Sequence, residues 1–380
     1  MVQTLLSFIA NLNLRRSIAH SLLSLLWGLG ITLTLCLDVH AITTPWHIEP
    51  SGPDTSPASI QSAPIKPGAT TIVVAVIDSG VIAEHPALEG VLLPGFDMVA
   101  AQRNLRGTRS SNFAPDPRDA TCGQRLVSSS FRTHGTEVAS LIAGNGYENM
   151  WGVNPRARIV PIRIFSTCGM LPEDLIDAIR WAAGLKVEGT PNNQNPAHVI
   201  NISITGGAAQ CRPELQRAIN AARKNGTFVV AAAGNNFQKP LAEPANCEGV
   251  ISVGALSAEN KIENYSALDS RTTIYTAGGG PALRMSQAWA HNKLKVATAE
   301  LSVSGNERLI VMDKGIGTSY AAPVMSGFLS LMLSFNPNLK PQDWDAYADY
   351  FVRQVPRLEK CVDCNPRGLI ASGMLTKLSK

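Results

Sequence analysis

The sequence predicts an α/β fold: a doubly wound, three-layer α/β/α arrangement around a mostly parallel central sheet. Three observations carry that prediction. Unbroken aliphatic runs of strand length recur along the chain, helical patterns alternate with them, and 31 glycines and 24 prolines punctuate the joins. Strands that read as continuous apolar runs are covered on both faces, which is the habit of parallel sheets. The composition agrees, with 45% hydrophobic residues but only 6% aromatic ones.

Taken in order, residues 1–41 read as an export signal. Arg15 and Arg16 precede an uncharged stretch from Ser21 to Leu37, and Val39-His40-Ala41 supplies a small-x-small cleavage site. The alternative is an uncleaved membrane anchor, since about 17–20 apolar residues just span a bilayer. Cleavage is the reading taken, and it implies a secreted or periplasmic protein with no stable membrane association. Residues 42–67, rich in Pro, Ser and Thr and without apolar periodicity, read as a flexible lead-in. A single domain is expected over residues 68–376.

Within it, Ile72–Ile77 is the first strand, followed by the runs Ile159–Ile164, Val199–Ile204, Phe228–Ala233 and Val250–Ala255. Helical patterns fall at Thr136–Ala143, Pro172–Ala183, Pro213–Lys224 and Ser319–Leu333. Two stretches fit the alternation poorly. Ala100–Arg132 reads as a long surface loop pinned by Cys122, and Pro281–Lys314 as a hairpin flap. Each either shapes access to a site or is a surface insertion of the kind that costs little.

The net charge of +4 becomes +3 without residues 1–41 (31 Lys and Arg less 28 Asp and Glu), and no block of like charges occurs. That excludes the basic stripe of a nucleic-acid binder. Removing Cys36 with the signal leaves Cys122, Cys168, Cys211, Cys247, Cys361 and Cys364. An even count in an exported chain favours disulfides, three here. Cys361-Val362-Asp363-Cys364 also has the spacing of a redox pair or half a zinc site, but no second CxxC, His pair or thioredoxin-like context accompanies it.

In doubly wound sheets ligands bind outside the carboxyl ends of the strands. Asp78 stands there, directly after the first strand, and an acid in that place is costly unless something uses it. A helix cap or turn Asp would read the same. Among seven histidines, His20 and His40 fall in the export signal, His47 in the lead-in, His198 beside a strand start and His291 in the insertion. His85 sits in a Pro-bearing turn. Only His134, in His134-Gly135-Thr136, joins a sharp Gly turn to a buried helix, which makes it the candidate base.

Gly317-Thr318-Ser319 leads into a helix apolar nearly all round, with Pro323 expected in its first turn. Ser319 is thus placed at the positive end of a buried helix, where its N–H helps bind an oxyanion; a plain N-cap is the alternative. Asn235, after Ala231-Ala232-Ala233-Gly234, offers a neutral amide donor at another strand end, or a turn residue.

Four segments, VAVIDSGV around Asp78, HGTEVASLIAG from His134, VVAAAGNN around Asn235 and GTSYAAPVMSG around Ser319, resemble the signature blocks of the subtilisin-like serine proteases and stand in that family's order. The resemblance covers roughly residues 68–376. It implies a serine endopeptidase with Asp78, His134 and Ser319 as its triad, and Asn235 with the Ser319 N–H as its oxyanion hole. It implies polypeptide substrates bound as an added strand along Phe165–Gly169 and Ser203–Gly207. The primary pocket would be walled by Ser203–Gly207 and Ala231–Gly234, with Phe165, Ser166, Ser203, Ile204, Thr205, Gly206, Ala232, Ala233 and Gly234 as the contacting residues. It also implies the pairs Cys122–Cys168 and Cys211–Cys247 and a short bridge Cys361–Cys364. No cofactor is required for catalysis, no metal ligand is assigned, and a monomer is expected.

Departures from the family pattern are specific. Glu137 stands where His is usual and Ser140 where Gly is usual, both read as packing variation. Thr205 falls near a usual Gly and would narrow one pocket wall. Ala87 replaces an Asp that serves many members as a calcium ligand, so structural calcium is left open, with no ligand set identifiable. Ala277-Gly278-Gly279 replaces Ala-Pro-Gly. Residues 42–67 are expected to be too short for the family's folding prodomain. Other readings compete with this one. An α/β-hydrolase would need G-x-S-x-G with its His last in the chain, which this sequence lacks. A non-catalytic peptide-binding module on the same scaffold usually loses a triad member, and here all four positions are kept.

Overall fold

The computed structural model describes residues 71–99, 110–115, 121–122, 125–126, 132–165, 169–236, 240–257, 261–279, 294–301, 307–348, 352–354 and 367–369. The export signal, the lead-in and Ser166 lie outside the described residues.

The first strand, β1 (Val73–Asp78), is followed by β2 (Phe96–Asp97), by the short antiparallel pair β3 (Thr121–Cys122) and β4 (Arg125–Leu126), and by α1 (His134–Ala143). Next come β5 (Arg158–Arg163), α2 (Pro172–Ala182), β6 (Val199–Ile202), α3 (Pro213–Lys224), β7 (Phe228–Ala232), β8 (Ile251–Leu256) and β9 (Ile274–Ala277). A hairpin of β10 (Leu294–Leu301) and β11 (Glu307–Gly315) precedes α4 (Thr318–Phe335), α5 (Trp344–Ala348), β12 (Val352–Gln354) and β13 (Arg367–Leu369).

Among the described residues nine strands form one sheet, in the order β12-β13-β9-β8-β7-β6-β1-β5-β2. Its neighbours pair parallel except β12 with β13. The apolar runs are continuous because both faces are covered. Val74 and Val76 of β1 pack with α1 and α4, whereas Val73, Ala75 and Ile77 face α2 and α3. This is the three-layer α/β/α fold the pattern predicts.

The topology opens a crevice at one place. From β1 the chain continues to β2 and β5 on one side, and from β6 to β7 on the other. Neighbouring strands whose connections leave in opposite directions mark the switch point where such sheets bind ligands. The carboxyl ends of β1 and β6 therefore flank it.

Helix α4 is buried nearly throughout, which explains its apolar sequence. It begins at Thr318, so Pro323 lies inside the helix rather than in its first turn. Having no N–H, Pro323 leaves the Ser319 carbonyl without its i+4 donor. Of the expected flap, residues 281–293 and 302–306 lie outside the described residues; the rest is a hairpin whose first strand is docked rather than free. Leu294, Val296 and Ala297 pack against Ala87, Leu141, Met150 and Tyr320.

Candidate active site

Asp78 ends β1 and is 1% exposed. His134 opens α1, and the start of that helix is fastened to the end of β1 through Ser79. The Ser79 hydroxyl accepts the Gly135 N–H at 3.1 Å and donates to the Arg132 carbonyl at 3.4 Å. The approach requires glycine at 135, since a Cβ there would stand 2.2 Å from the Gly80 carbonyl oxygen. Asp78 and His134 are 56 residues apart in sequence, yet Nδ1 of the imidazole lies 2.9 and 3.0 Å from the two Asp78 carboxylate oxygens. A carboxylate only accepts, so Nδ1 carries the proton and Nε2 presents its lone pair.

Ser319 is half-buried in the first turn of α4. Its N–H belongs to the helix's opening turn, where a donor lacks an i−4 carbonyl within the helix. Before it, Gly317 adopts φ 144°, a conformation side chains rarely take, and its N–H donates to the Gly278 carbonyl at 2.8 Å. Asn235 follows β7, and its side-chain oxygen accepts the N–H and the hydroxyl of Thr318 at 2.8 and 2.9 Å. That hydroxyl also accepts the Gly234 N–H at 3.0 Å. Thr318, which the sequence reading passed over, thus joins the Asn235 segment to the Ser319 helix. Its partner lies 83 residues away, and only the Ser/Thr preference at helix starts hinted at it.

The residues expected to touch substrate are distributed unevenly. Thr205 faces Gly234, with its γ atoms 3.5 Å from where a Cβ on that glycine would stand. Gly206 is exposed beside them and bonds through its N–H to the Glu243 carbonyl at 3.1 Å. Ser203 is buried, its hydroxyl receiving Nδ2 of Asn201 at 2.9 Å. Ala232 and Ala233 are buried beneath, on opposite faces of the sheet. Phe165 and Ile204 are half-buried against the α2 and α3 side of the core.

Of the expected disulfides, Cys211–Cys247 is formed, closing a sequence separation of 36. Cys122 lies in β3, and Cys168, Cys361 and Cys364 fall outside the described residues. Ala87 is wholly buried with an apolar side chain. Among the described residues no group of three or more His, Cys, Asp or Glu side chains is placed to hold a metal ion. Nor is any helix among them long and apolar enough to cross a membrane.

Comparison with known proteins adds an independent observation. A family model described as the subtilase family, peptidase S8, matches residues 69–356. An extracellular basic protease of Dichelobacter nodosus is 32% identical over 314 residues, covering 78% of this chain and 48% of that protein. An extracellular protease of Xanthomonas campestris pv. campestris is 33% identical over 273 residues, covering 70% of this chain and 44% of that protein. The chain therefore spans about half the length of these curated relatives. A solved protease of Pseudoalteromonas arctica superposes with a TM-score of 0.71 at 30% identity, covering 88% of this chain and all of that one.

Proposed function

This chain belongs to the subtilase family, and from that premise we propose that it is a secreted serine endopeptidase working through Ser319, His134 and Asp78. The observation that carries the reading is the Asp78–His134 contact at 2.9 Å across the end of β1, beside the helix start that bears Ser319.

A serine hydroxyl is a weak nucleophile at neutral pH and needs a base. With Nδ1 bonded to Asp78, Nε2 of His134 takes the Ser319 proton as Oγ attacks the scissile carbonyl. The resulting imidazolium is stabilised by Asp78, which keeps its charge. The oxyanion of the tetrahedral intermediate is received by the Ser319 N–H and the Asn235 amide. His134 returns the proton to the leaving amine, and water then repeats the sequence on the acyl-enzyme. None of these steps calls for a cofactor.

The substrate is a polypeptide laid as an added strand along Phe165–Gly169 and Ser203–Gly207. The primary pocket is walled by Ser203–Gly207 and Ala231–Gly234, and the small residues there suit a pocket without fixed charge. The names of the extracellular relatives support export, with residues 1–41 as a cleaved signal.

Labelling with a fluorophosphonate probe tests the reading. The parent chain should label, and Ser319→Ala and His134→Ala should not. A folded parent that stays unlabelled would reject the activated serine and leave a peptide-binding scaffold.

A further inference from the structure

Glu137 stands three residues after His134 on α1 and is fully buried. A buried carboxylate is costly unless its lone pairs are satisfied. Here three hydroxyls satisfy them. Oε1 accepts from Thr133 and Thr298, each at 2.7 Å, and Oε2 accepts from the Tyr320 hydroxyl. Thr133 precedes His134, Tyr320 follows Ser319, and Thr298 belongs to the docked hairpin. The Tyr320 ring in turn packs edge-on against the His134 imidazole, with centroids 5.6 Å apart and planes at 61°.

We propose that Glu137 is a positioning residue for the triad, anchoring the Tyr320 hydroxyl so that the ring walls the His134 imidazole and the helix starts bearing His134 and Ser319 keep their spacing. The proposal rests on the catalytic reading of those two residues. An edge-on ring restricts the imidazole without bonding to either nitrogen, leaving Nδ1 to Asp78 and Nε2 to the serine. The ring is long enough to shift unless its far end is held, and Glu137 holds it. Burial, and then the Glu137 carboxylate, push the Tyr320 hydroxyl well above its ordinary value, so it remains a donor. A role in packing alone would be met by an apolar residue, which would need no set of three convergent hydroxyls.

The test compares the full chain with Tyr320→Phe, which deletes one hydroxyl and keeps the ring, and with Glu137→Gln. Active sites are titrated with a fluorophosphonate, and kcat and KM are measured per titrated site on one peptide substrate. The downfield proton resonance of His134 Nδ1–H is recorded in each protein. The expected result is a kcat per site lower by about tenfold in Glu137→Gln and severalfold in Tyr320→Phe. KM should be nearly unchanged, and the Nδ1 proton shifted or broadened in both variants. If only the fraction of titratable sites falls, while kcat per site and the resonance keep their parent values, Glu137 is merely structural and the proposal is overturned. Unchanged values throughout overturn it too. A parent that cannot be labelled defeats the catalytic reading instead, and the resonance still decides whether Glu137 orders the imidazole.

Discussion

The side-chain oxygen of Asn235 is held twice by Thr318, through its N–H at 2.8 Å and its hydroxyl at 2.9 Å. With the oxygen engaged, the amide nitrogen is the free end, and it lies 3.2 Å from where a Cβ on Gly317 would stand. In the proposed mechanism the donor is thus held before any substrate arrives, at no reorganisation cost during the reaction. Asn235→Ala should lower kcat by about 100-fold or more with KM little changed, a scale carried over from the equivalent donor in subtilisin rather than derived from this geometry. Thr318→Val keeps the N–H but loses the hydroxyl, and should cost about threefold to tenfold in kcat. Steady-state kinetics on both variants checks the order; equal losses would mean that the hydroxyl, not the N–H, does the aiming.

Asp78 fixes which imidazole nitrogen carries the proton, because both its oxygens face Nδ1. Asp78→Asn puts an amide donor beside that nitrogen and favours the opposite tautomer. The loss in kcat should be about 10⁴-fold, the value known for chymotrypsin-type triads and taken over from them. Thermal midpoints measured alongside should change far less than the rate.

The fold was legible because its signal is local. Continuous runs such as Ile72–Ile77 are apolar on both faces of the strand, and β1 buries both. Strand β9 was missed: it is only four residues long and carries Thr276, whose hydroxyl is spent on the Ala321 carbonyl at 2.7 Å. Strands β12 and β13, three residues each at one end of the sheet, give even less pattern. In the candidate site the residue types were readable, as were the strand-end positions of Asp78 and Asn235 and the helix-start positions of His134 and Ser319. The bonds that orient them were not, since they join residues far apart in sequence. Glu137 looked like a packing substitution on an apolar helix face, yet Thr298 lies 161 residues away and Tyr320 183. Nothing local announces a carboxylate whose partners are that distant.

Two histidines outside the proposed triad predict how stability responds to acid. His85 accepts the Ala87 N–H at Nδ1, so its proton sits on Nε2 and is donated to the Ile310 carbonyl at 3.0 Å. His198 accepts the Val73 N–H at Nδ1. Burial lowers both pKa values below the ordinary 6.5. The unfolded chain therefore binds more protons than the folded one just below pH 6.5, and stability rises with pH there. The contribution is complete above that value and is lost as pH falls below it. Urea midpoints taken from pH 7.5 down to 5 should show the decline, and His198→Asn, which keeps an acceptor but does not titrate, should flatten it. An unchanged slope in that variant would remove His198 from the account.

The bridge Cys211–Cys247 spans 36 residues that include α3 and β7. Its chain-entropy contribution is about 3–4 kcal/mol, a model-dependent figure. Replacing both cysteines by alanine should lower the unfolding free energy by roughly that amount. The kcat should hold, since neither sulfur is near His134 by any contact described.

Next to that bridge, Glu243 is almost wholly buried, and Arg212 supplies most of its hydrogen bonds. Its carboxylate accepts the Arg212 N–H at 2.6 Å and the Arg212 guanidinium at 2.6 to 3.0 Å. Burial pushes the Glu243 carboxyl up, but these bonds overcome it and hold the group below its ordinary value of 4.5. The pair reaches the proposed pocket through the backbone, because the Gly206 N–H donates to the Glu243 carbonyl and a Cβ on Gly207 would stand 3.1 Å from Oε2. Arg212→Ala removes the guanidinium and leaves the buried carboxylate to its backbone N–H donors. Such losses run to about 3–5 kcal/mol when both groups are buried; with the arginine partly in solvent about 2–3 kcal/mol is expected. Movement of the Gly206–Gly207 wall should also raise KM more than it lowers kcat. Arg212→Lys restores charge but not the forked geometry, so it should fall between parent and alanine on both measures. A KM at the parent value in Arg212→Ala, with stability lowered, would show that the wall holds its shape without the pair.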